Sequence, residues 1–177
     1  MDPISDINIV KDSSFAMLLA AQRKGWELYY MELKDLYLEQ GMAKSSLRKL
    51  SVKEDPDNWF ELSDREDQAL STLDVILMRK DPPFDSEFLY STLILGRAED
   101  EGVLLVNNQQ GLRDCNEKLF ATQFPQCCPE VLVSRDTERL KTFFVEHKDV
   151  IFKPLDGMGG SSIFRIKEKD PNIGVII

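Results

Sequence analysis

A single histidine, His147, is all the imidazole this chain contains, which argues against a histidine-built metal centre and against a Ser-His-Asp triad. Cysteine is scarce as well. The three present are an odd number without metal-ligand spacing: Cys127 and Cys128 are adjacent, and Cys115 stands apart. Such usage fits free thiols in a reducing cytoplasm rather than a disulfide framework. No apolar run approaches the roughly 20 residues of a membrane span. Met1-Asp2-Pro3-Ile4-Ser5-Asp6 offers neither the basic region nor the apolar core of a signal peptide, so none is expected. Positive charge is in deficit, with 22 Lys and Arg against 31 Asp and Glu and a formal net charge of −9. This speaks against nonspecific binding of nucleic acid or of an anionic membrane, both of which require basic surface. It leaves room for an anionic ligand in a locally basic cleft. Internal repeats and low-complexity tracts are absent.

The composition that remains, 42% hydrophobic and 30% charged over 177 residues, is that of a globular chain holding one domain, or one domain and part of a second. A helix is predicted from about Asp12 to Lys24, with Asp12 or Ser13 as cap, Phe15, Leu18 and Leu19 as its apolar stripe and Gly25 as its end. Residues 27–33 read as a strand, and residues 36–53 as a hairpin around Gly41. Residues 54–71 are polar and acidic, with Trp59 and Phe60 as anchors. Val75 to Met78 is a continuous apolar run, as in a strand buried on both faces. A helix from about Asp85 to Asp100, with Phe88, Leu89, Leu93 and Leu95 inward, and a strand at 103–106 follow. Strand alternating with helix predicts a parallel α/β sheet. Beyond Leu112 the pattern changes. Residues 114–122 look helical, 131–133 form a short strand, and a helix capped by Ser134 or Asp136 runs to His147.

The most informative stretch is Ile151-Phe152-Lys153-Pro154-Leu155-Asp156-Gly157-Met158-Gly159-Gly160-Ser161-Ser162-Ile163-Phe164. It reads as strand, glycine loop, strand, and lacks the helix with a GK[ST] start that a P-loop requires. Glycines let backbone N–H groups approach phosphate oxygens closely, and a lysine at the strand end adds a point charge for the same phosphates. A tight hairpin with an exposed lysine accounts for the same residues.

Lys153-Pro154-Leu155-Asp156-Gly157-Met158-Gly159-Gly160 resembles the nucleotide loop of bacterial glutathione synthetases, which are ATP-grasp ligases. Asp12-Ser13-Ser14-Phe15-Ala16-Met17-Leu18-Leu19, Val75-Ile76-Leu77-Met78-Arg79-Lys80-Asp81-Pro82-Pro83-Phe84-Asp85 and Leu112-Arg113-Asp114-Cys115-Asn116-Glu117-Lys118-Leu119-Phe120 resemble the same family, in the family's order. The resemblance implies an N-terminal Rossmann-like parallel-sheet (pre-ATP-grasp) domain over 1–117 and the first part of an ATP-grasp domain over 118–177. It further implies a first strand lying before Met1 and an ATP-grasp half continuing beyond Ile177, so that this chain is expected to be truncated at both ends.

The family's reaction joins γ-L-glutamyl-L-cysteine to glycine with ATP and Mg²⁺ (or Mn²⁺) through an acyl phosphate, in the cytoplasm. The resemblance suggests a homo-oligomer. By the resemblance Lys118, Lys153 and the loop Gly157, Met158, Gly159 and Gly160 hold ATP, and Arg79 faces γ-glutamylcysteine. Read from its spacing alone, Lys118 is equally an i,i+4 helical partner of Asp114, and Arg79 a partner of Asp81 or Asp85. Ser13 and Ser14 stand where helix capping and anion binding both fit. Asn107, past a strand end, suits a cleft or a turn. The metal ligands are expected after Ile177, so the 177 residues alone are expected to make no glutathione. The competing expectations are another ATP-grasp carboxylate–amine ligase and a non-catalytic nucleotide-binding fragment. Trp26 and Trp59 read as packing residues, His147 as a partly buried residue at a helix C-terminus, and Cys127-Cys128 as inert loop.

Overall fold

Asp12 decides where the first helix begins. Its carboxylate accepts a hydrogen bond from the Phe15 N–H (2.8 Å) and caps α1 (Ser13–Arg23). The chain leaves α1 through Gly25, whose φ of +78° suits a residue without Cβ. In the computed structural model, which describes residues 1–80, 83–156 and 160–176, α1 belongs to a first compact unit, Met1–Arg113; the second is Asp114–Ile177.

The first unit is organised around one long strand. The strands β1 (Leu28–Tyr30), β2 (Leu36–Glu39), β3 (Met42–Val52), β4 (Phe60–Leu62) and β5 (Glu66–Ala69) form a sheet in which each of the others pairs antiparallel with β3. The hairpin predicted around Gly41 is β2–β3, and its two-residue link Gln40-Gly41 has φ of 51° and 83°, as a tight primed turn requires. Along β3 the buried side chains are Ala43, Ser45 and Leu47, then Leu50 and Val52, so the inward parity changes in mid-strand. Ala43 enters one core with Leu70, Ile76, Leu95, Ala98, Val103 and Leu105. Leu50 and Val52 enter another with Ile4, Phe15 and Tyr30. One strand thereby serves two cores.

The parallel pairing expected for this region occurs once among the described residues. β6 (Val75–Leu77) connects through α2 (Ser86–Asp100) to β7 (Leu104–Val106), with Val75, Ile76 and Leu77 registered against Leu104, Leu105 and Val106. The expectation that residues 75–78 are buried on both faces is not met. Ile76 and Leu105 are buried, whereas Val75, Leu77, Leu104 and Val106 are 41–59% exposed. A two-stranded sheet with its covered side toward α2 leaves alternate residues outward. Within α2, Phe88 and Leu95 are inward as expected and Leu93 is not; the inward stripe runs through Phe88, Ser91, Thr92, Leu95 and Ala98, and Leu93 falls off that helical period. Trp26 is 60% exposed beneath the Lys24 ammonium rather than packed, while Trp59 packs in the second core and donates to the Ile4 carbonyl (2.8 Å).

Two further corrections concern residues 109–135. Helix α3 (Gln109–Asp114) ends where a helix was expected to start, and 115–119 form a turn before a 3₁₀ segment at Phe120–Gln123. Residues 131–133 are not a strand; with Val131 and Val133 about half exposed, they have no neighbouring strand to pair with among the described residues. Helix α4 (Thr137–His147) is capped by Asp136, whose own N–H donates to Ser134. Phe144 of α4 packs with Val150 and Ile166 of the antiparallel pair β8 (Asp149–Phe152) and β9 (Phe164–Lys167), and α5 (Ile173–Ile176) joins this core.

Candidate functional site

In the second unit β8 delivers Lys153 and β9 begins at Phe164, so the two strands are not joined by a two-residue turn. Lys153 is exposed directly after β8. Gly160 has φ of +80°. The expected loop residues Gly157, Met158 and Gly159 lie outside the described residues.

The turn at 115–119 brings a second lysine to this segment. Lys118 Nζ lies 3.4 Å from the Leu155 carbonyl and 2.7 Å from Glu117 Oε1, with its side chain only 18% exposed. The Lys118 ammonium holds the Glu117 carboxyl below the ordinary glutamate range. Because Asp114 terminates α3, the helical i,i+4 geometry that the spacing of Asp114 and Lys118 implied is not formed. Sequence reasoning passed over Asn116. Its carboxamide oxygen accepts from the N–H groups of Lys118 (3.0 Å) and Leu119 (3.1 Å), and its nitrogen donates to the Leu155 carbonyl (3.3 Å). The readable signal was an asparagine two residues before a lysine, the spacing of an Asx turn.

In the first unit a polar pocket of about 240 Å³ is lined by Met1, Asp2, Lys11, Asp12, Ser13, Ser14 and Arg79. Arg79 follows β6 by two residues. Its Nη2 donates to Ser13 Oγ (2.9 Å) and its Nε to Ser14 Oγ (3.2 Å). The two serines are thus acceptors for a guanidinium, while capping is done by Asp12. Asp81 lies outside the described residues, so that alternative partner for Arg79 has no geometry to set beside the serines. Asn107 is exposed after β7, its carbonyl taking a hydrogen bond from the buried Gln109 side chain (3.1 Å), and it does not line this pocket.

Elsewhere one sulfur and the imidazole have structural partners. Cys128 donates to the Ala121 carbonyl (3.2 Å), and all three cysteines are free. His147 is partly buried, faces Glu130 (3.2 Å) and stacks on Phe143. Among the described residues no group of three His, Cys, Asp or Glu could hold a metal ion, so no metal ligand is assigned to them. Among those residues no helix is long and apolar enough to cross a membrane.

Comparison with known proteins covers both the lysine-bearing and the arginine-bearing stretches. Residues 1–113 match the family described as prokaryotic glutathione synthetase, N-terminal domain, and residues 117–177 match prokaryotic glutathione synthetase, ATP-grasp domain. The chain is 62% identical over all 177 residues to a glutathione synthetase of Photorhabdus laumondii, 62% identical over 176 residues to one of Escherichia coli, and 59% identical over 177 residues to one of Vibrio vulnificus. It spans 56% of the length of each of these relatives. Matched along both segments and nearly two-thirds identical from end to end, the chain belongs to the prokaryotic glutathione synthetase family.

Proposed function

We propose that this chain carries the nucleotide-phosphate lysines and one substrate-carboxylate pocket of an ATP-dependent ligase that joins γ-L-glutamyl-L-cysteine to glycine. The observation that carries the reading is the approach of Lys118 to the backbone of the segment that bears Lys153. Two cations from separate stretches, one of them bonded to the backbone two residues past the other, suit the neutralising of a triphosphate. In this reaction the cysteine carboxylate attacks the γ-phosphorus, the bond to the bridging oxygen breaks, and ADP leaves. The glycine amine then attacks the acyl phosphate, loses a proton and expels inorganic phosphate.

Lys118 and Lys153 hold the phosphates and offset the charge that moves onto ADP. The Gly157–Gly160 loop supplies backbone N–H groups and keeps water from the acyl phosphate. Arg79, fixed by Ser13 and Ser14, offers its guanidinium to a carboxylate of γ-glutamylcysteine. A divalent cation, Mg²⁺ or Mn²⁺, accompanies ATP in this reading and would offset the charge of the phosphate oxygens. We assign residues 1–117 to the substrate domain, with β6–α2–β7 a portion of a Rossmann-like parallel sheet, and 118–177 to the ATP-grasp domain. Three free thiols fit a reducing cytoplasm, and the resemblance suggests a homo-oligomer.

The test uses the native gene product with ATP, γ-glutamylcysteine and glycine, following ADP and glutathione together. Glutathione formed only when all three are present is the expected result. ADP release with a different carboxylate or amine would move the reading to another ATP-grasp ligase, and nucleotide binding without turnover would reduce it to a binding role. Lys118→Ala and Lys153→Ala are each expected to weaken ATP binding about ten- to a hundredfold, the scale of a hydrogen bond to a charged group.

A further inference from the structure

One side chain joins the two stretches of the nucleotide site and has no part in the chemistry described above. The Asn116 carboxamide oxygen takes the N–H groups of Lys118 and Leu119, at 3.0 and 3.1 Å, and so shapes the turn on which Lys118 stands. The other end of the same carboxamide donates to the Leu155 carbonyl at 3.3 Å, two residues past Lys153. Lys118 Nζ reaches that same carbonyl at 3.4 Å. The Asn116 main-chain carbonyl accepts from Phe120 (2.8 Å) and passes the chain into the following 3₁₀ segment.

We propose that Asn116 is a positioning residue of the nucleotide site: its carboxamide clamps the start of the glycine loop to the Lys118 turn, so that both lysines are presented before the phosphates arrive. The inference rests on the nucleotide reading of Lys118 and Lys153.

The geometry asks for a carboxamide. Two N–H donors converge on one end and a carbonyl oxygen waits at the other, so the group must accept and donate at atoms about two bonds apart. A carboxylate would satisfy the turn but set an anion against the Leu155 carbonyl. A serine satisfies the turn, as it does at helix caps, and falls short of Leu155. Preorganisation is the expected benefit, because a site already assembled does not have to be ordered by its ligand.

That difference between serine and asparagine makes the test. Binding of a non-hydrolysable ATP analogue with Mg²⁺ to the full chain is measured by calorimetry at several salt concentrations, beside thermal unfolding, for wild type, Asn116→Ser, Asn116→Ala, Lys118→Ala and Lys153→Ala. Asn116→Ser is expected to keep the unfolding midpoint of the wild type and lose about tenfold in affinity, the scale of one neutral hydrogen bond. Its salt dependence should match the wild type, since no charge is removed, whereas each lysine variant flattens it.

Unchanged affinity in Asn116→Ser and Asn116→Ala, with both lysine variants impaired, overturns the positioning role and leaves the nucleotide reading intact. An affinity loss in Asn116→Ser accompanied by a fall in midpoint as large as that of Asn116→Ala overturns it as well, since turn stability would then explain both. No measurable binding to the wild type, or affinity indifferent to both lysines, overturns the nucleotide reading and this inference with it.

Discussion

Tyr30 shows how much a single buried phenol can reveal about its surroundings. Its ring lies in the core with Ile4, Phe15, Leu50 and Val52, its hydroxyl donates to Glu32 (3.0 Å), and the Ile4 N–H donates to its oxygen (3.2 Å). Burial, reinforced by the Glu32 carboxylate, pushes its pKa up to about 12. The unfolded phenol loses its proton near 10, so between about 10 and 12 the unfolded chain binds fewer protons and stability falls as pH rises. The contribution is complete below about 10 and gone above about 12. Urea unfolding of wild type and Tyr30→Phe across this range is expected to give a stability difference that shrinks with pH; a constant difference would contradict it. No sequence pattern announces this tyrosine. By contrast Lys153 stands out in the sequence as a candidate from its place between an apolar run and a glycine cluster, and Arg79 from its place after an apolar run. The serine hydroxyls that hold Arg79 and the Asn116 clamp were not, because they depend on bonds spanning 65 and 39 residues.

At the scale of elements, local chemistry spoke where it was strong. The Asp12 cap, the Gly25 stop and the Gly41 turn each came from residues whose backbone preferences are pronounced. β5 was not legible, since Glu66-Asp67-Gln68-Ala69 has no strand propensity and forms because β3 offers it an edge. Residues 131–133 have the propensity and lack the edge. The same logic yields a prediction for β7. Leu104 is 59% exposed and Leu105 4% exposed, on opposite faces of the strand. Leu104→Lys should alter stability by only about 0.5 kcal/mol, whereas Leu105→Lys buries an ammonium between Ile76 and α2 and should cost more than about 4 kcal/mol. Denaturant unfolding of the two variants would separate them, and equal losses would mean that the register of β6 on β7 is wrong. The apolar patch of Val75, Leu77, Leu104 and Val106 should bind a hydrophobic dye less well in Leu104→Lys.

For the whole molecule, the sequence pattern changes after Leu112, and the contacts divide the chain between Arg113 and Asp114. The direction of the strands was less readable. Between Leu28 and Ala69 no α-helix intervenes, only a single 3₁₀ turn at Leu33–Asp35, so every connection is short and antiparallel pairing with β3 is the outcome. A crossover helix separates only β6 from β7. The second unit has a small core, Phe144, Val150 and Ile166 with partly buried neighbours, and a ligand is therefore expected to contribute a large share of its stability.

At a nucleotide concentration 100 times the dissociation constant, mass action stabilises the binding-competent state by about 2.7 kcal/mol, which slows amide exchange governed by the opening equilibrium by about a hundredfold. The amides that should respond are those whose opening dismantles the site: the β8–β9 ladder at Val150–Ile166 and Ile151–Arg165, and the Lys118 and Phe120 N–H groups bonded to Asn116. Hydrogen exchange of the full chain with a non-hydrolysable ATP analogue should show the free energy of this protection growing with the logarithm of ligand concentration above the dissociation constant. Saturating nucleotide with unchanged exchange in β8, β9 and residues 116–120 would place its binding away from Lys118 and Lys153.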